Sequence, residues 1–300
     1  MTQALGVFAN YVAAGLMTGG LYALVAIGLT LIYSVMKVVN VAHGDLLTIG
    51  GYLLVILSGS AEVISPVLVV PFLLASLVVG AAIGVLVERT LVAPVVRSRR
   101  EVEQRVLVLT LGLSILLANL MQVVFGPNVR QVPFLVQGAT RLGSLEVANQ
   151  RLATFALSVV LVGLLFIFLR FTRLGLAVRC TADNPEGAQA CGISIRFVFS
   201  TVFAVATALA VAVGMFIAPI TAVYPPMGFP FTIKAFIVVI VGGLGSLSGA
   251  LAASYLLGIA EALAILWFPS SVANLIGPLL MLAVLLWRPS GLLGRQVGRI

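Results

Sequence analysis

Histidine occurs once in this chain, at His43, and cysteine twice, at Cys180 and Cys191. That stock leaves no set of Cys and His ligands for a zinc site and no second group from which a catalytic triad around His43 could be composed. The phosphate-cradling pattern G-x-x-x-x-G-K-[ST] is absent. Residues 1–10 contain no Lys or Arg, so the basic start of a cleavable signal peptide is missing and the first apolar run is expected to be kept as a span. Charge is scarce overall: 9% of residues are charged, where a soluble domain carries about 25%.

Apolar side chains fill the space that charge leaves, at 61% of the chain. No water-facing surface can be built from that composition, so the expected fold class is an all-α, polytopic membrane protein. With about 20 residues per crossing, the chain has room for roughly eight spans and for no soluble domain beside them. Residues 1–300 therefore read as a single transmembrane domain. The net charge of +8 is spread as basic residues between apolar runs, which suits membrane topology rather than nucleic acid. The expected spans are 11–35, a short one over 44–57, 64–87, 106–125, 152–169, 197–219, a broken pair over 235–268, and 271–287.

The loops at Lys37, 89–105, 170–196 and the tail 288–300 together hold 13 of the 17 Lys and Arg, which places them in the cytoplasm. Arg130, Arg141, Arg151 and Lys234 fall on the other side, with outer loops at 126–151 and 220–234. The N-terminus then lies outside. Cys180 and Cys191 are expected as reduced thiols in the cytoplasmic loop.

Between two of the apolar runs stands the segment Asn40–Val41–Ala42–His43–Gly44–Asp45. Ionisable groups inside a bilayer are costly and usually line a cavity or a pathway. The short span after it is expected to be tilted, broken or re-entrant. A second interruption, at Gly242, Gly243, Gly245, Ser246, Ser248 and Gly249, divides a 34-residue apolar run. Its glycines serve either close helix packing or a substrate-lining break. They miss the dinucleotide pattern because Ser248 stands at its third glycine. For Glu261 two placements stay open: pairing with a neighbouring span, or the outer interface.

In the loop 170–196, Asn184 can cap a helix that starts at Pro185 with Glu186 in its first turn, and Gly192 is a natural stop. The result is a helix of about two turns on the cytoplasmic side, either a solvated connector or a docking helix.

The run Glu186–Gly187–Ala188 with Gly192 resembles the E-A-A-x-x-x-G loop of ABC importer permeases. Residues 21–33, the 39–45 segment and the run from Ala235 through Ala250 resemble the branched-chain amino acid permeases, in the shorter H-type subunit, with Val41 where phenylalanine is common. The resemblance extends from Leu21 to about Leu263. It implies a bacterial inner-membrane importer permease with no enzymatic activity and no cofactor of its own, ATP being bound and hydrolysed by two partner subunits. It also implies a second, M-type permease subunit and an extracytoplasmic binding protein, with lipid around the whole and no nucleic acid. Arg179, Asn184, Glu186, Gly187, Ala188 and Gly192 would couple to the ATPases. Substrate would cross near Asn40, His43, Gly44, Asp45, Gly242, Gly243, Gly245 and Ser246. Branched-chain amino acids are the default solute, with urea and short amides within the family's range. The competing expectation is an ion-coupled secondary transporter using His43, Asp45 and Glu261.

Overall fold

The computed structural model describes residues 2–59, 61, 63–98, 101–142 and 145–294. The expected cytoplasmic residues Arg99, Arg100, Arg295 and Arg299 lie outside them. Among the described residues, seven helices are long and apolar enough to cross a membrane, and two shorter apolar ones lie over His43–Ser58 and Gly228–Gly242.

Helix α1 (Thr2–Met36) ends where Lys37 turns left-handed, at φ 54°. The chain then folds back through residues 38–42 before α2 (His43–Ser58) begins. A 3₁₀ turn at Pro66–Leu68 leads into α3 (Val69–Val87), a π-helical turn at Glu88–Val92 and α4 (Ala93–Arg97). The helical run therefore passes through Arg89 and Arg97, where a loop was expected to begin at Arg89. Only residues 98–101 separate it from α5 (Val102–Phe125). The connection after α5 carries a two-stranded hairpin, β1 (Ala139–Leu142) antiparallel to β2 (Leu145–Ala148), with Ala139 opposite Ala148. Then follow α6 (Asn149–Phe171), α7 (Arg173–Asp183), α8 (Pro185–Ala190) and α9 (Ile195–Thr221). The expected cytoplasmic loop thus holds two short helices rather than one. After α10 (Gly228–Gly242) and α11 (Leu247–Ala264) come the single turn α12 (Ser270–Ala273) and α13 (Ile276–Trp287).

The core sits on α9, which is buried along most of its length and is packed by α1, α2, α3 and α6. Helix α1 lies along α11, where Gly15 and Gly19 face Gly258 and Tyr255 with no side chain between the backbones. Small residues at such crossings let helices approach closely without any hydrophobic drive from the surrounding lipid.

The two ends of the bundle are distinguishable. At one end, Arg89 and Arg97 share a cavity with Arg196, Tyr33 comes within electrostatic reach of Glu103, and residues 290–294 pack on Gly243 beside the end of α1. At the other, Arg130 bridges Val223 through two backbone hydrogen bonds of 2.8 Å. There Asn10 and Ala13 of α1 share a cavity with Val147 and Arg151. Lys234 belongs to neither end. The outer loop expected over 220–234 stops at Met227, and Lys234 stands inside α10.

Candidate functional site

The fold-back at residues 38–42 carries polar side chains into the middle of the bundle. Asn40 closes a turn by accepting the Ala42 N–H at its Oδ1 (3.1 Å). The Val41 N–H is taken by the Thr110 hydroxyl on α5 at 3.1 Å, so the non-helical backbone is satisfied by a neighbouring span as bilayer depth requires. The Nε2 of His43 lies 3.1 Å from the Val25 carbonyl. A carbonyl only accepts, so Nε2 donates and carries the proton. The ring rests over Gly28, where a Cβ would meet it at 3.0 Å. Asp45 stands in the first turn of α2 and faces the Ser114 hydroxyl of α5. An acidic side chain there is favoured by the positive end of the helix dipole.

Among the described residues, five buried polar atoms have no hydrogen-bond partner: Asn40 Nδ2, His43 Nδ1, Asp45 Oδ2, Tyr52 Oη and, on α9 against Gly84 of α3, Thr207 Oγ1. Orphaned polar groups at such depth are costly. Four of the five belong to residues 40–52, on the fold-back or on α2. Above them the Tyr52 ring stacks on Phe125 with centroids 4.3 Å apart. Arg130 lies over the Phe125 ring, 6.0 Å from its centroid, and donates to the Phe125 carbonyl.

The N-termini of α2 and α10 meet here. The Gly44 backbone rests directly on the Gly228 carbonyl and the Thr232 hydroxyl, and any Cβ at Gly44 would overlap both. Two helix starts therefore converge next to Asp45.

Gly242, Gly243, Gly245 and Ser246 occupy a different place. They form the joint between α10 and α11, at the arginine-rich end. Gly243 and Gly245 take φ of 100° and 84°, which side chains with a Cβ rarely adopt. Gly242 and Gly249 touch backbone to backbone, and the Ser246 hydroxyl accepts the Gly249 N–H at 3.1 Å to cap α11. The neighbours of this joint are Ser34 and residues 290–294, whereas those of Asn40 to Asp45 are Val25, Thr110, Ser114 and Gly228. The two groups expected along one path have separate neighbours, and the contacts of the joint are those of close packing and a helix cap.

Glu261 takes the first of its two open placements. It forms an ion pair with Lys234 of α10 and accepts the Tyr22 hydroxyl of α1 at 2.7 Å. Sequence reading missed this triad, as it missed Thr110 and Ser114. The latter pair had a legible signal: two hydroxyls at i and i+4 on an otherwise apolar span face one way.

Helices α7 and α8 project at the arginine-rich end. Asn184 caps α8 through a 3.0 Å bond from the Gly187 N–H, and Pro185 follows at its first position. Ala188 is buried against the neighbouring helices, while Arg179, Asn184 and Glu186 are exposed. Gly192, at φ 82°, turns the chain so that the Ile193 N–H returns to the Ala188 carbonyl at 3.0 Å. The exposed polar face of α8 is thereby held on a fixed support.

A bundle of membrane-length helices, a fold-back that buries unpartnered polar atoms, and short capped helices presented at the basic end define a multi-pass membrane permease. The family model described as branched-chain amino acid transport system / permease component matches residues 11–286. The chain belongs to that family. It is similar to the high-affinity branched-chain amino acid transport system permease protein LivH of Salmonella typhimurium, at 30% identity over 94% of both chains. The LivH protein of Escherichia coli K12 matches at the same identity and coverage. The corresponding permease protein BraD of Pseudomonas aeruginosa is 29% identical over 94% of each. As a member of an ABC permease family, the chain is a component of a bacterial membrane transporter that works with partner subunits.

Proposed function

We infer that this chain moves branched-chain amino acids inward across the bacterial cytoplasmic membrane, paired with an M-type permease subunit. Two ATP-binding subunits bind and hydrolyse ATP, and an extracytoplasmic binding protein delivers the solute. The observation that carries this reading is the buried, unpartnered Oδ2 of Asp45 beside the meeting point of two helix N-termini. Helix starts suit a carboxylate, and Asp45 Oδ2 suits an ammonium group, so each charge of an amino acid zwitterion has an opposite partner. The apolar surroundings suit a branched aliphatic side chain. Of the three groups offered by the competing ion-coupled reading, His43, Asp45 and Glu261, the last is tied to Lys234 and Tyr22.

The test is uptake in vesicles carrying the full complex, with radiolabelled leucine, urea and ATP varied in turn. Leucine accumulation that requires ATP and ignores the ion gradient is expected. Accumulation driven by an ion gradient without nucleotide hydrolysis would overturn the reading. Asp45→Asn should raise the leucine KM by roughly tenfold or more, since a hydrogen bond to a charged group contributes about 1.5–3 kcal/mol. Unchanged kinetics would remove Asp45 from the path.

The exposed face of α8 is assigned to the ATP-binding subunits. Like charges juxtaposed across an interface cost several kcal/mol, so Glu186→Lys should strip those subunits from the purified complex and abolish ATP-dependent uptake. Co-purification in normal ratio together with normal uptake would show that this helix does not couple.

A further inference from the structure

Where α4 and the start of α9 meet, Arg89, Arg97 and Arg196 line one cavity of ≈ 370 Å³ together with Ser194 and Phe197. None of the three guanidinium groups has a carboxylate partner among the described residues. The nearest acid in sequence, Glu88, is buried and accepts the Ser200 hydroxyl at 2.5 Å. Three positive charges thus converge without an ion-pair partner among the described residues, although Ser200, which holds Glu88, also lines the cavity. Beside them the Ser194 hydroxyl caps α9 by accepting the Phe197 N–H at 3.5 Å and keeps its own proton to donate. Arginines that merely fix topology have no reason to share one concavity. The cavity has an apolar flank: Phe197, which lines it, is 53% exposed, and Leu86, on the last turn of α3 before Arg89, is 61% exposed.

We propose that this cavity is a binding site for an anionic phospholipid of the cytoplasmic leaflet. The phosphate sits among Arg89, Arg97 and Arg196, the Ser194 hydroxyl reaches the headgroup, and the acyl chains run along Phe197 and Leu86. Guanidinium forks match phosphate oxygens in pairs, and basic pockets between spans on this side of a membrane suit such headgroups. The apolar flank separates a lipid from a free phosphate, which would have no use for it. The site is distant from the Asp45 cluster in composition and surroundings, so it stands whether or not the transport reading holds.

The test uses the purified full-length chain in nanodiscs with a photoactivatable phosphatidylglycerol, the labelled peptides being mapped by mass spectrometry. Labelling concentrated in residues 86–97 and 194–200 is expected, with competition by phosphatidylglycerol but not by phosphatidylcholine or soluble glycerol phosphate. The Arg89→Gln/Arg97→Gln/Arg196→Gln variant should lose labelling by about tenfold or more, each basic residue near the surface contributing roughly fivefold. Label spread evenly over the lipid belt, or equal competition by phosphatidylcholine, would overturn the site. Displacement by glycerol phosphate at equal concentration would overturn the lipid and leave a soluble-phosphate site. If the variant does not purify as a folded protein, the mapping and competition on the unaltered chain decide the matter.

Discussion

Glu261→Ala is expected to cost about 3–5 kcal/mol of folding stability, the range for removing one partner of a buried ion pair. The loss is large because of what it leaves behind. Lys234 keeps 15% of its side-chain surface, and α10 holds it between α1 and α11. Without the carboxylate, its ammonium has only the face of the Tyr22 ring, 5.9 Å away, and a cation–π contact supplies about 2 kcal/mol at best. Tyr22 also loses the acceptor for its hydroxyl. Lys234→Met should cost less, since Glu261 retains the Tyr22 hydroxyl. The double variant Lys234→Met/Glu261→Leu should recover most of the stability, because apolar replacement of a whole buried pair is often neutral or better. Reversible unfolding in detergent, with coupling taken from the double-mutant cycle, checks all three. Equal losses for both single variants that simply add in the double would show that the pair is not coupled.

That pair also shows where sequence reading reached its limit. Glu261 stood out as a carboxylate in an apolar run, but nothing local named its partner. Lys234 followed a stretch with Pro225, Pro226 and Pro230 and several aromatics, which reads as a loop. Pro230 in fact lies in the first turn of α10, where a missing N–H costs nothing. The helix start was therefore hidden, and with it the depth of Lys234. The fold-back at Asn40 to Asp45 was legible for the opposite reason, since polar residues between apolar runs declare themselves by composition alone. The caps of α8 were legible too, because Asn184, Pro185 and Gly192 act through their nearest neighbours. Glu88 was not, because its partner, Ser200, lies 112 residues away. The segregation of Gly242 to Ser246 from the Asp45 cluster depended on how α10 and α11 cross the bundle, and spacing within one chain segment carries no such information.

Two adjacent glycines on α2 provide the sharpest test of how that helix is held. At Gly50 a Cβ would overlap the Val211 carbonyl oxygen of α9 and press on the Met215 N–H. Both obstacles are backbone of the most deeply packed helix in the molecule, and no rotamer can move them. At Gly51 the nearest atoms are the Met227 Sδ at 3.1 Å and the Val223 Cγ2 at 3.4 Å. A thioether is unbranched and yields by rotating. Alanine gains about 1 kcal/mol of helix propensity over glycine at either position, so that contribution cancels in the comparison. Gly51→Ala is expected to be neutral or slightly stabilising, with uptake close to normal. Gly50→Ala must push α2 off α9, at about 1–3 kcal/mol or more for an overpacked core. Because α2 carries Asp45 and starts against Gly228, the same displacement misplaces the cluster, and uptake is expected to fall by more than the loss of folded protein explains. Purified yield, unfolding midpoint and leucine uptake per folded complex, measured side by side, separate the two. Matching behaviour of the two variants would mean that α2 is not seated on α9 through this close approach.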